Sequence, residues 1–220
     1  MAETNHKKAG TDLPLAARLP IYLAGLTILC LGLVLSTKTG LGVSPISSVP
    51  YCVSQLSGIS LGNCTIILYI LFILLQLILT GHFSLKIILQ LPVTLGIGRL
   101  VDWFDQLLAF RAENLLTGIA LLLLAICFIA MGVTLSVGMD MVPNTADGMV
   151  DVIARKLGRE FGRVKTVFDL SMMCLTILIS LIAAGHLIGI GVGSVLSALG
   201  VGRVAGLFRR WLKKPLRLNR

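Results

Sequence analysis

A chain of 220 residues that is 56% hydrophobic, 13% charged and of mean hydropathy +0.94 is not a soluble domain, in which about a quarter of the residues carry charge. Its long apolar runs make it a polytopic membrane protein. The net charge of +9 sits beside those runs without the interleaved aromatics of a nucleic-acid groove, so it reads as membrane-side anchoring, and no nucleic-acid partner is expected.

In chain order, residues 1–18 form a polar tail without a small-residue cleavage site, so the first apolar run is expected to be retained. Six spans follow, at 19–36, 64–80, 85–104, 115–137, 166–184 and 187–206. Each is long enough for a bilayer core of about 30 Å, the second only just. The third holds Pro92 and the sixth Gly189, Gly191, Gly193, Gly200 and Gly202, all tolerable in membrane helices, where small residues let backbones approach. Leu207–Lys214 reads as an amphipathic surface tail, inside a basic C-terminal segment, 209–220. The five cysteines form neither a CxxC nor a Cys/His ligand spacing, so no disulfide, metal or cofactor is expected.

The second half repeats the first. Leu31–Ser36 recurs as Met131–Ser136 at an offset of 100, while Gly81–His82 recurs as Gly185–His186 and Gly96–Arg99 as Gly200–Arg203 at an offset of 104. Three spans per half, an odd number, force the second copy to run through the membrane upside down. The fold expected is all-α: six transmembrane helices in two inverted three-helix repeats, 19–110 and 115–208, each with a short interrupted helix after its first span.

Lysines and arginines orient the chain. Lys7, Lys8 and Arg18, then Lys86, then Arg155, Lys156, Arg159, Arg163 and Lys165, and finally Arg209, Arg210, Lys213, Lys214, Arg217 and Arg220 all fall on one side. That side is the cytoplasm if both termini lie there, and the opposite side keeps only Lys38 and Arg111.

Two long connections occupy matching places. Each opens with glycine and continues with proline and small polar residues, so Pro45 and Pro143 read as corresponding starts of short helices, with Gly62 and Gly162 at their far ends. Helix starts carry unpaired N–H groups and a partial positive charge. Brought together by the inverted axis, Ser44, Pro45, Ser47, Ser48, Pro143, Asn144, Thr145 and Asp147 would line a pocket for a small solute or ion. The plain alternative is that they cap helices in surface loops.

Among the charges, Asp140, Asp147 and Asp151 cluster in the second connection, where a carboxylate could hold a cation or proton. Lys165 and Asp169 lie four apart, fit to pair on one helix face. Arg99 and Asp102 are three apart near one end of the third span, and Arg203, the copy of Arg99, is placed near the inner end of the sixth. These five are candidates for gating or anchoring. His82 and His186, each beside a glycine at a turn, read as caps.

No nucleophile elbow, phosphate loop, HExxH or catalytic carboxylate pair is present, and the two Gly-x-Gly-Arg segments lack both the third glycine and a preceding strand of a dinucleotide fingerprint. No enzyme is expected. The layout, with Gly40–Pro45, Val142–Asp151 and the Lys165–Asp169 pair, resembles the YczE/YyaS/YitT family of bacterial integral membrane proteins over about residues 18–208. That resemblance implies a cytoplasmic-membrane protein of bacteria and no particular substrate. The function expected is a small secondary transporter or permease whose partners are the bilayer, a small solute or ion and possibly a second copy of itself. The competing expectation is a non-transporting accessory protein acting on a cytoplasmic partner through Arg155, Lys156, Arg159 and the tail. A channel is a third.

Overall fold

The computed structural model describes residues 11–82, 84–213 and 215–216. Lys7, Lys8, Lys214, Arg217 and Arg220, counted above for orientation, lie outside the described residues. The described chain is helical: α1 Leu15–Lys38, α2 Pro45–Ser57, α3 Leu61–Thr80, α4 Leu85–Ile88, α5 Gln90–Leu107, α6 Leu115–Gly138, α7 Thr145–Leu157, α8 Phe161–Ala184 and α9 Val192–Leu212. Six segments are long and apolar enough to cross a membrane, namely α1, α3, α4 with α5, α6, α8 and α9.

The expected spans are all present, with shifted ends. The second starts at Leu61, where Ser60 caps it by accepting a hydrogen bond from the Asn63 N–H. The third breaks for one residue at Leu89. The fifth starts earlier, at Phe161, and the sixth later, at Val192, because 187–191 runs outside any helix. The sixth then continues to Leu212, so residues 207–212 extend α9 and are no separate tail.

The short helices refine the repeat. Each has 13 residues, and α7 matches α2 at an offset of 100 from end to end. Their caps correspond as well: Ser44 with Asn144 at the start, and Gly58 (φ 73°) with Gly158 (φ 61°) at the end, where a left-handed backbone closes the last turn. Two expectations are therefore corrected. Pro45 corresponds to Thr145, since Pro143 precedes its helix's cap. Gly62 and Gly162 sit in the first turns of α3 and α8, beyond the short helices. The change of offset to 104 also has a physical form. Helix α8 has 24 residues against 20 in α3, an insertion of about one turn, which leaves each face where it was. Both helices then end alike. His82 Nδ1 lies 2.9 Å from the Thr80 carbonyl oxygen, and His186 Nδ1 lies 3.0 Å from that of Ala184, the capping role expected of them.

Helices α1 and α6 cross antiparallel at the centre. Gly25 faces Leu135 and Ser136, and Gly32 faces Ile129. A Cβ on Gly132 would lie 2.5 Å from the Leu29 nitrogen, so only small residues allow this approach. Helix α5 packs on α1 and α9 on α6. The short helices change sides: α2 leans on α8, and α7 leans on α3.

The halves are nevertheless unequal. Helix α3 meets α5 through Gly62, whose Cβ would lie 2.0 Å from the Gly98 carbonyl oxygen, while the copies Gly162 and Gly202 have nothing within 4 Å. Helix α8 thus stands away from α9, and both present exposed leucines, isoleucines and valines such as Leu178, Ile182 and Leu199, a surface suited to lipid.

Candidate functional site

The start of α7 is buried in the bundle, so the reading of these residues as surface-loop caps does not hold. Thr145 is fully buried and shares a hydrogen bond of 2.8 Å with the hydroxyl of Thr94 on α5. Beside it, Gln76 of α3 and Gln90 of α5 form a reciprocal amide pair. Gln76 Nε2 donates to Gln90 Oε1 at 3.0 Å, and Gln90 Nε2 donates to Gln76 Oε1 at 3.1 Å. Gln76 Nε2 also donates to the Thr145 carbonyl at 3.3 Å. Gly148 makes room for this, since a Cβ there would lie 2.7 Å from Gln90 Nε2. Asn144 caps without a side-chain bond, and its buried Oδ1 has no partner among the described residues. A buried acceptor left unpaired is uncommon and costly.

A cavity of about 620 Å³ leads to this cluster, within the range of about 300–1,000 Å³ usual for small-molecule sites. Gln76, Gln90 and Gly148 line it, together with Ile87, Val142 and Pro143. Charged side chains also line it: Lys86, Arg155 and Lys156 on the basic side, Asp140 and Asp151 on the acidic. Asp151 is paired with Arg155 at 2.7 Å.

On the α8 side of α7, the expected pair of Lys165 and Asp169 forms at 3.4 Å and gains a third member. Lys165 Nζ also lies 3.2 Å from Asp147 Oδ1. One ammonium between two carboxylates leaves a formal surplus of one negative charge. The side chains are only 26%, 15% and 14% exposed for Lys165, Asp147 and Asp169. Lys165 and Asp169 lie in the spanning helix α8, where ionisable groups this sheltered are expensive and by default functional.

The start of α2 is buried too, but it makes a separate cluster. Ser44 donates to Ser47 Oγ at 3.2 Å. Ser48 bonds the Pro45 carbonyl at 2.6 Å and the Thr176 hydroxyl of α8 at 2.7 Å. One turn on, Cys52 Sγ lies 3.2 Å from Ser180 Oγ. No hydrogen bond joins the two helix starts among the described residues. The two helix starts therefore make separate polar clusters, because α2 docks on α8 and α7 on α3.

Arg99, Asp102 and Arg203 fall outside both. Asp102 caps α3, accepting from the Gly62 N–H at 2.7 Å and from Ser60 at 3.0 Å. Arg99 lies 3.9 Å from Asp102 and donates to Asn63 at 3.2 Å. Arg203 is exposed near the middle of α9 and not near its end, because that helix runs on to Leu212. Sequence reasoning missed Gln76, Gln90, Thr94, Thr176 and Ser180. The available signal was a polar residue inside an apolar run, matched by another at the offset of 104: Gln76 falls on Ser180, and Gln90 on Ser194.

Six apolar spans around buried polar clusters define a multi-pass α-helical membrane protein. The chain belongs to the family of unknown function DUF6198, which it matches over residues 16–210. No curated protein and no solved structure matches it.

Proposed function

We propose that the chain is a small transporter of the bacterial cytoplasmic membrane, with both termini in the cytoplasm and two inverted repeats that admit a polar solute from one side at a time. The observation that carries this reading is the cavity of about 620 Å³ lined by the Gln76–Gln90 pair, by Gly148 in the first turn of α7 and by Pro143 before it. Paired amides offer donors and acceptors together, which suits an uncharged or zwitterionic solute better than a bare ion. The surplus negative charge of Asp147, Lys165 and Asp169 suits coupling to a proton or cation. Loop charges favour a cavity mouth on the cytoplasmic face, and the likeness to YczE/YyaS/YitT proteins supports the same membrane.

The test is reconstitution into liposomes with a screen of labelled polar solutes. Wild-type flux is expected, with a fall of at least tenfold in Asn144→Ala, Asp147→Ala and Gln90→Leu. Flux untouched by all three substitutions would remove the proposed site.

A further inference from the structure

The two ends of the proposed path are built unequally. On the face away from the cavity, the turn before α2 is strapped to the segment before α9. The Val43 N–H donates to the Gly189 carbonyl at 2.9 Å, and the Gly193 N–H donates to the Leu41 carbonyl at 2.8 Å. Glycines make this approach possible. A Cβ on Gly191 would lie 2.3 Å from the Leu41 oxygen, and one on Gly42, whose φ is 107°, would lie 2.6 Å from the Gly191 nitrogen.

The repeat supplies the comparison. At the offsets of 100 and 104, Val43 corresponds to Pro143, Gly189 to Leu85, Gly191 to Ile87 and Gly193 to Leu89. Pro143 has no N–H to donate. Leu89 instead spends its N–H on the Leu85 carbonyl at 2.9 Å, closing α4. Where the strap would be in this half, the cavity opens, lined by Ile87, Val142 and Pro143.

Behind the strap lies a run of buried hydroxyls. Ser48, Thr176, Ser180 and Ser194 are all fully buried. Ser180 Oγ accepts from the Ile188 N–H at 3.2 Å, and Ser194 Oγ donates to the Gly189 carbonyl at 3.3 Å. Ser197, three residues further along α9, is also buried, and its hydroxyl has no partner among the described residues. Most of these hydroxyls bond one another or the backbone, as they do between packed membrane helices, but the Ser197 hydroxyl is left over, and a buried polar group without a partner calls for an explanation.

We propose that the strap of residues 41–43 on 189–193 is the shut gate of a two-gate path, and that the hydroxyls behind it are the path's second half, opened when the strap parts. The cavity side is its open counterpart. The proposal extends the transport reading and rests on it for the identity of the path, yet its test needs no solute.

Cys52, bonded to Ser180 behind the strap, is a native reporter. With the other four cysteines replaced by alanine, its reaction with a small water-soluble methanethiosulfonate is expected to be slow, and at least tenfold faster in Gly191→Ala or the milder Gly193→Ala. A cysteine at Ser84, on the cavity side of the Cys-free chain, is expected to react at one rate with and without those changes, which shows the fold intact. Cys52 reacting equally fast in parent and variants, or equally slowly while Ser84→Cys reacts normally, overturns the gate. Strap-dependent labelling in a protein that moves no solute upholds the gate and overturns the transport reading instead.

Discussion

Gln76 and Gln90 satisfy each other inside the bundle, and that sets the cost of changing either. Removing one amide leaves the other buried without its partner, a loss of about 1–3 kcal/mol, whereas removing both leaves neither amide stranded and gives up only the longer bond to the Thr145 carbonyl. Gln76→Leu and Gln90→Leu should each lower the unfolding temperature in detergent, while the double variant recovers most of the loss. The Lys165 cluster behaves differently. Lys165→Met leaves Asp147 facing Asp169 without a cation and should cost on the order of 2 kcal/mol, below the roughly 3–5 of a fully buried broken pair. Asp147→Asn keeps one full ion pair and should cost less, so the order of the two unfolding temperatures checks the assignment. The sequence pointed to Asp147, Lys165 and Asp169 because charge near a span is conspicuous. It did not point to the glutamines, because attention to proline and glycine in the connections passed over polar residues inside the spans.

Helix packing turns on small residues that the repeat shares but the structure uses unequally. A Cβ on Gly62 would run into Gly98, whereas one on Gly162 would meet nothing within 4 Å. Gly62→Ala should therefore cost about 1–3 kcal/mol through overpacking. Gly162→Ala should be neutral or stabilising by up to about 1 kcal/mol, since alanine favours helix over glycine. Equal effects in thermal unfolding would contradict the separation of α8 from α9. At this scale the spans were legible from apolar length, and the short helices from their proline and glycine punctuation. Their ends were not, because capping by Ser60, Gly58 and Gly158 depends on local backbone geometry that apolar runs do not encode. The pairing of Pro45 with Pro143 also misled, since proline suits both the first helical position and the residue before a cap.

At the scale of the whole molecule, the two halves are built differently at matching positions. One end is zipped by glycine backbones and the other, at matching positions, carries Pro143, Ile87 and Leu89 and stays open. The repeat and the odd number of spans per half were visible in the sequence. The asymmetry was not, because which copy is closed depends on packing between halves. A cross-link can test it: a Cβ on Gly193 would lie 3.0 Å from the Leu41 Cβ, so a shift of about 0.5 Å brings the pair into the roughly 3.5–4.5 Å range of a disulfide. The most direct measurement is solute uptake by the reconstituted Leu41→Cys/Gly193→Cys variant, with the native cysteines replaced by alanine, under oxidising and reducing conditions. Uptake when reduced, its loss on oxidation and its return on reduction is the predicted result. Uptake that proceeds equally with the strap cross-linked would contradict the account.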